Sequence, residues 1–183
     1  HMILNWTAVS GRVYNVLWTP SLQEPFEPME VGIPYPVDSY TDTVHTAEPA
    51  GFYRVVIMRA DYDADGDGLP NAWEARYTVS NPYADDDKDG FNNLLEFVAG
   101  TDPIDKNSYL VAGTAVADVA GTNCFVVDWI ALPERLYSVH WRPNLATGFQ
   151  SLATGIEYPQ NSYTNTTHAA ESTGYYKVDV KLK

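Results

Sequence analysis

A chain of 183 residues that is 45% hydrophobic and 13% aromatic has material for one to three packed cores and is not a disordered acidic tail. Its net charge of -13 and pI near 4.4 exclude nucleic acid and anionic membrane surfaces as partners, because both attract basic faces. No run approaches the roughly 18 apolar residues of a membrane span, so no membrane insertion is expected.

In chain order, His1-Met2 reads as a cloning remnant, which implies a longer parent chain with a domain upstream. Residues 3–60 read as a first small antiparallel β-sandwich. Tyr14, Val16 and Trp18 alternate along one strand, and period 2 marks one buried face. Clusters of Pro, Gly, Asn and Ser punctuate short runs, as expected of a sandwich. The last run, Phe52–Arg59, is apolar on both faces, so Val56 and Met58 are expected to be covered.

Residues 61–108 form a separate block. Twelve of the 24 acidic residues fall between Asp61 and Asp105, a concentration that would repel itself unless a cation sat inside it. Starting at Asp63, the order of residues fits a twelve-residue calcium loop. Asp63, Asp65 and Asp67 occupy positions 1, 3 and 5, and Gly68 permits the turn at 6. Leu69 offers its carbonyl at 7, Asn71 stands at 9 and Glu74 at 12. A second loop begins 22 residues later with Asp85, Asp87, Asp89, Gly90, Phe91, Asn93 and Glu96. Calcium takes six to eight hard oxygens, and alternate Asp side chains around one turn supply them. Two ions are therefore expected, with Asp102 and Asp105 as auxiliary ligands or caps, and a ligand role for Asp61 left open.

A helix is expected after each loop. One runs from Pro70 to about Tyr77, the other from Asn92 to Ala99, where Gly100 stops it. Trp73, Leu94, Leu95, Phe97 and Val98 would form the core of this short α-helical module. No helix enters the first loop, because PheTyrArgValValIleMetArg ahead of it reads as a strand.

Residues 109–183 read as a second β-sandwich, and they repeat the first. Residues 6–58 align with 129–181 at a constant offset of 123, with 23 of 53 positions identical. Trp6 matches Trp129, Tyr14 matches Tyr137, Trp18 matches Trp141 and His45 matches His168. The run TyrLeuValAlaGlyThrAlaVal (109–116) leads into the second copy, and its counterpart would precede residue 1. An open strand edge is expected beside Ile3–Trp6.

AspGlyAspGlyLeuProAsnAlaTrpGlu, AspLysAspGlyPheAsnAsnLeuLeuGluPhe and AlaGlyThrAspPro resemble the Asp-rich calcium repeats of thrombospondin type 3 type. That resemblance covers about 45 residues and implies an extracellular or cell-surface calcium-dependent spacer, common in bacterial secreted proteins. The 22-residue spacing is also similar to dockerins, which plug enzymes into scaffolds. Here loop position 12 is Glu, and positions 10 and 11 are Ala72-Trp73 and Leu94-Leu95, a departure from the dockerin pattern. The β-repeats resemble fibronectin type III or immunoglobulin-like modules in arrangement only.

Catalysis is not expected. GxSxG, HExxH, Walker and dinucleotide-binding patterns are all missing from the sequence. The histidines His45 and His168 are duplicated, which suits scaffold, and Cys124 lies in an apolar strand with no activating neighbour in sequence. Tyr35, Tyr40, Tyr158 and Tyr163 near turns are the best candidates for stacking on a sugar. The expected whole is mainly β: two sandwiches joined by a calcium-binding segment. It would be a non-catalytic spacer or anchoring region of a secreted protein. A carbohydrate-binding module and a protein-docking module are the alternatives, with polysaccharide or a cell-surface protein as partner.

Overall fold

The computed structural model describes residues 1–48, 50–171 and 173–183. It is mainly β, with eleven strands and two short helices among the described residues. The chain divides between Asp86 and Asp87 into two compact units, and the expected 61–108 segment straddles this division.

Unit 1 contains β1 (Met2–Asn5), β2 (Arg12–Thr19), β3 (Glu27–Pro34), β4 (Ser39–Asp42), β5 (Phe52–Arg59) and α1 (Asn71–Tyr77). Its strands form an antiparallel pair β1-β4 and an antiparallel sheet β3-β2-β5. Tyr14, Val16 and Ile33 are the buried centre, and Leu4, Trp6, Met29 and Tyr40 pack around them. Of the residues that alternate along β2, Tyr14 and Val16 mark the inner face, whereas Trp18 is half-buried and lies outside this cluster.

Unit 2 contains α2 (Asn93–Ala99), β6 (Ala112–Val119), β7 (Thr122–Trp129), β8 (Arg135–Arg142), β9 (Gln150–Glu157), β10 (Ser162–Asn165) and β11 (Tyr175–Leu182). Here the antiparallel sheets are β10-β7-β6 and β11-β8-β9. Val127, Trp129, Tyr137, Val139 and Ile156 share one core, with Tyr163, Val178 and Val180 against it. That core draws residues from both sheets. Cys124 is buried within β7.

Adding 123 to the bounds of β2, β3, β4 and β5 gives those of β8, β9, β10 and β11. β1 corresponds to residues 125–128, the second half of β7. The repeat extends to local detail. The Tyr14 hydroxyl accepts the Val9 amide at 2.7 Å, and the Tyr137 hydroxyl accepts the Leu132 amide at 3.0 Å. Both β2–β3 and β8–β9 carry register shifts, and Gly32 and Gly155 take the left-handed conformation nearby, with φ of 67° and 68°.

The units differ in where their helices dock. α1 lies on β3, where a Cβ at Gly32 would stand 2.9 Å from the Ala72 carbonyl. α2 lies on β11 instead, and nothing lies within 4 Å of a Cβ at Gly155. In unit 2, Arg135 donates to the carbonyls of Val98 at 2.6 Å and Phe97 at 2.9 Å, capping the carbonyl end of α2.

Several expectations need correcting. Leu95, assigned to a module core, is exposed, whereas Leu69, Ala72 and Val79 are buried. β5 is not covered on both faces: Val56 and Met58 are half-buried, but Val55 and Ile57 on the opposite face are exposed. Tyr40 and Tyr163 pack in the two cores, leaving Tyr35 and Tyr158 as the exposed pair.

Candidate metal centre

Both loops fold by the same local rules. Gly66 and Lys88 at position 4 have φ of 74° and 66°, and Gly68 and Gly90 at position 6 have φ of 99° and 100°. The turn is held by Asp side chains accepting backbone amides. In the first loop Asp63 Oδ1 accepts Gly66 at 2.8 Å and Asp63 Oδ2 accepts Gly68 at 2.9 Å. Asp67 Oδ1 accepts Leu69 at 2.8 Å, and Asp89 Oδ1 accepts Phe91 at the same distance in the second loop. Asp87 Oδ1 likewise accepts the Asp89 amide at 3.0 Å.

This wrapping gathers Asp63, Asp65 and Asp67 so that one carboxylate oxygen from each lies within 4.8 Å of the others. Asp85, Asp87 and Asp89 do the same. Position 9 opens a helix in both loops, at Asn71 and Asn93. The Asn71 Oδ1 accepts the Ala64 amide at 2.7 Å, folding this side chain back over its loop. Asn92 caps α2 by accepting the Leu95 amide at 2.9 Å. Position 12, Glu74 or Glu96, then falls in the first helical turn. Leu69 at position 7 has a fully buried side chain, which anchors the backbone between the Asp cluster and α1. Phe91, its counterpart, is exposed.

The electrostatics follow from this crowding. Burial, then the charges of Asp67, Asp65 and Asp63, push the Glu74 carboxyl up from its ordinary value. Asp63 moves the other way, because the Gly68 amide hydrogen bond holds it down against desolvation. In the second loop Glu96 is 1% exposed and Asn93 is fully buried. The donor chemistry at both loops is carboxylate, carboxamide and backbone carbonyl, all hard oxygens. That set is of the kind calcium takes, and the carboxylates the structure brings together are the three Asp of each loop, without Glu74 or Glu96.

Asp102 and Asp105 take the capping alternative, and Asp61 pairs with a cation. Asp61 makes a two-bond ion pair with Arg59, at 2.9 and 2.7 Å. Asp102 Oδ1 accepts the Ile104 amide and Asp105 Oδ1 the Asn107 amide, each at 3.1 Å, as in tight turns. None of the three joins an acidic cluster among the described residues. At loop positions 10 and 11, Ala72 is buried and Trp73 packs on Tyr77 with ring centroids 5.0 Å apart.

One polar constellation lay outside the motif reading. Asp42 is buried and accepts the Tyr53 hydroxyl at 2.6 Å, the Val44 amide at 2.8 Å and the His45 amide at 3.0 Å. The His45 ring stacks on Trp18 with centroids 3.7 Å apart, as His168 stacks on Trp141 at 3.6 Å. The repeated His position signalled this arrangement, but its Asp42 and Tyr53 partners are separated by a long loop and gave no local pattern. Compared with known proteins, the chain matches no family model, no curated protein and no solved structure.

Proposed function

We propose that residues 63–74 and 85–96 each bind one calcium ion, and that the chain is a non-catalytic, calcium-stabilised spacer or anchoring region of a larger secreted protein. The ligands are Asp63, Asp65, Asp67, Asn71, Glu74 and the Leu69 carbonyl in one loop. In the other they are Asp85, Asp87, Asp89, Asn93, Glu96 and the Phe91 carbonyl. One observation carries the reading. Two loops of different sequence repeat the same backbone turns at positions 4 and 6, the same Asp cluster and the same helix start at position 9. Solvated acidic turns have no reason to agree at all of these points.

Calcium in each loop offsets the repulsion within the acid block and ties it to the helix that follows. It thereby fixes the segment linking two β-sandwich repeats, an arrangement suited to an extracellular or cell-surface setting where calcium is plentiful. Isothermal titration with calcium is expected to give two ions per chain. Asp63→Ala and Asp85→Ala are each expected to leave one, and a chain that takes up no calcium would overturn the proposal. A second reading, carbohydrate contact, is favoured by Tyr35 and Tyr158, equivalent residues that are 52% and 54% exposed. A glycan array on the chain and on a Tyr35→Ala/Tyr158→Ala variant tests it: glycan signals lost in the variant support it, and no signal removes it.

A further inference from the structure

The two units differ most at one sheet edge. In unit 2, β7 lies between β10 and β6, whereas its counterpart β1 pairs only with β4 among the described residues. Val116, Ala115, Thr114 and Gly113 stand opposite Phe125, Val126, Val127 and Asp128. The offset of 123 carries those four β7 positions onto Met2, Ile3, Leu4 and Asn5.

Amide directions follow from the pairing. Trp6 donates to the Asp38 carbonyl at 2.9 Å, as Trp129 donates to Asn161 at 2.9 Å. Amides alternate between the two sides of an antiparallel strand. Leu4 therefore faces β4, and Ile3 and Asn5 face the open edge.

An apolar strip on β5 is uncovered too. In unit 2, Leu110 just ahead of β6 packs against the core that Val178 and Val180 also join. Their unit 1 counterparts, Val55 and Ile57, are 36% and 55% exposed. Protein edges are normally guarded by Lys, Pro or inward charge. Met2–Asn5 has none of these, and residues 109–117 carry no charge either.

We propose that the outer edge of β1 is a binding site for one extended polypeptide segment with the chemistry of residues 109–117. That segment is an uncharged antiparallel strand, small or β-branched opposite Met2–Asn5, led by an apolar residue that covers Val55 and Ile57. Unit 2 contains the filled form of the same site. The inference is independent of the cation reading.

A fluorescein-labelled peptide of residues 109–121, titrated into the intact chain and followed by anisotropy, tests it. Saturable binding of one peptide per chain is expected. It is expected to weaken about tenfold or more when the peptide carries Ala115→Pro, which removes an edge-facing amide from the ligand alone. Ile3→Pro in the protein removes an amide that β4 does not use and is expected to weaken binding similarly. The peptide variant keeps the test decisive should that protein fold poorly. Three results would overturn the proposal. One is the lack of saturable binding. Another is equal binding to a folded Ile3→Pro protein, which would mean exchange with β6 in unit 2. The third is a dimer that Ile3→Pro abolishes and the peptide does not dissociate, which would assign the edge to a second copy.

Discussion

Asp42 and Asn165 occupy the same place in the two units and do one task with different chemistry. Asn165 Oδ1 accepts the Thr167 and His168 amides at 3.1 and 3.2 Å, and its Nδ2 donates to the Tyr176 hydroxyl at 2.8 Å. At Asp42 the hydroxyl bond reverses and Tyr53 donates. Burial works to raise the Asp42 carboxyl, but the bonds from Tyr53, His45 and Val44 outweigh it and hold the group down to about 2. A depressed carboxylate contributes stability that is present above the unfolded value near 4 and lost as pH falls through 2. That contribution is on the order of 2 kcal/mol. Asp42→Asn copies the other unit, so it is expected to fold at neutral pH and to flatten the dependence between pH 4 and 2. Urea midpoints of both proteins across that range check this. Tyr53 is pushed up to about 12, by burial and then by Asp42. Its contribution is present below pH 10 and lost as pH rises through 12. Tyr53→Phe is expected to cost about 1 to 2 kcal/mol at neutral pH and to remove the alkaline limb, measured the same way.

The loops show which elements a sequence can specify. Position 4 has φ of 74° at Gly66 and 66° at Lys88, values an L-residue tolerates, whereas position 6 lies near 100° in both loops. Gly66→Asn is therefore expected to be nearly neutral, and Gly68→Ala or Gly90→Ala to cost about 1 to 3 kcal/mol. At Gly90 an added Cβ meets nothing within 4 Å, so the penalty there is backbone strain alone. Thermal melting of the three variants separates the cases. Spacing alone predicted the Asp clusters and the helix starts, because those contacts close within twelve residues. The docking of the helices was not legible. α1 rests against Gly32 and α2 is capped by Arg135, each roughly 40 residues away in sequence. Arg12, the counterpart of Arg135, shares only the bond to the preceding carbonyl, Gly11 at 3.3 Å against Glu134 at 3.5 Å, so the repeat itself gives no guide. The two apolar faces of β5 were not a guide to burial either. Val55 and Ile57 are exposed, whereas their counterparts Val178 and Val180 are half-buried against the core that Leu110 also joins, on a strand that α2 lies on as well.

At the scale of the whole molecule, each unit has its own core, and each loop leads into a helix lying on a different strand: α1 on β3, α2 on β11. Ion binding at one loop is therefore expected to stabilise mainly the unit that its helix rests on. With free calcium at 100 times the dissociation constant, linkage gives about 2.7 kcal/mol per site. For a unit of under 100 residues, each kcal/mol moves the melting temperature by about 4 to 8 °C. Chelation is thus expected to lower melting well beyond experimental error and to open residues 61–105 to protease. Hydrogen exchange locates the effect. In calcium, Asp63→Ala is expected to lose protection in α1 and β3 while α2 and β11 keep theirs, since an ion in the first loop would restrain only the helix that follows it. Loss spread evenly over both units would instead mean that they open as one cooperative body, and that the acid segment transmits stability between them rather than holding each end separately.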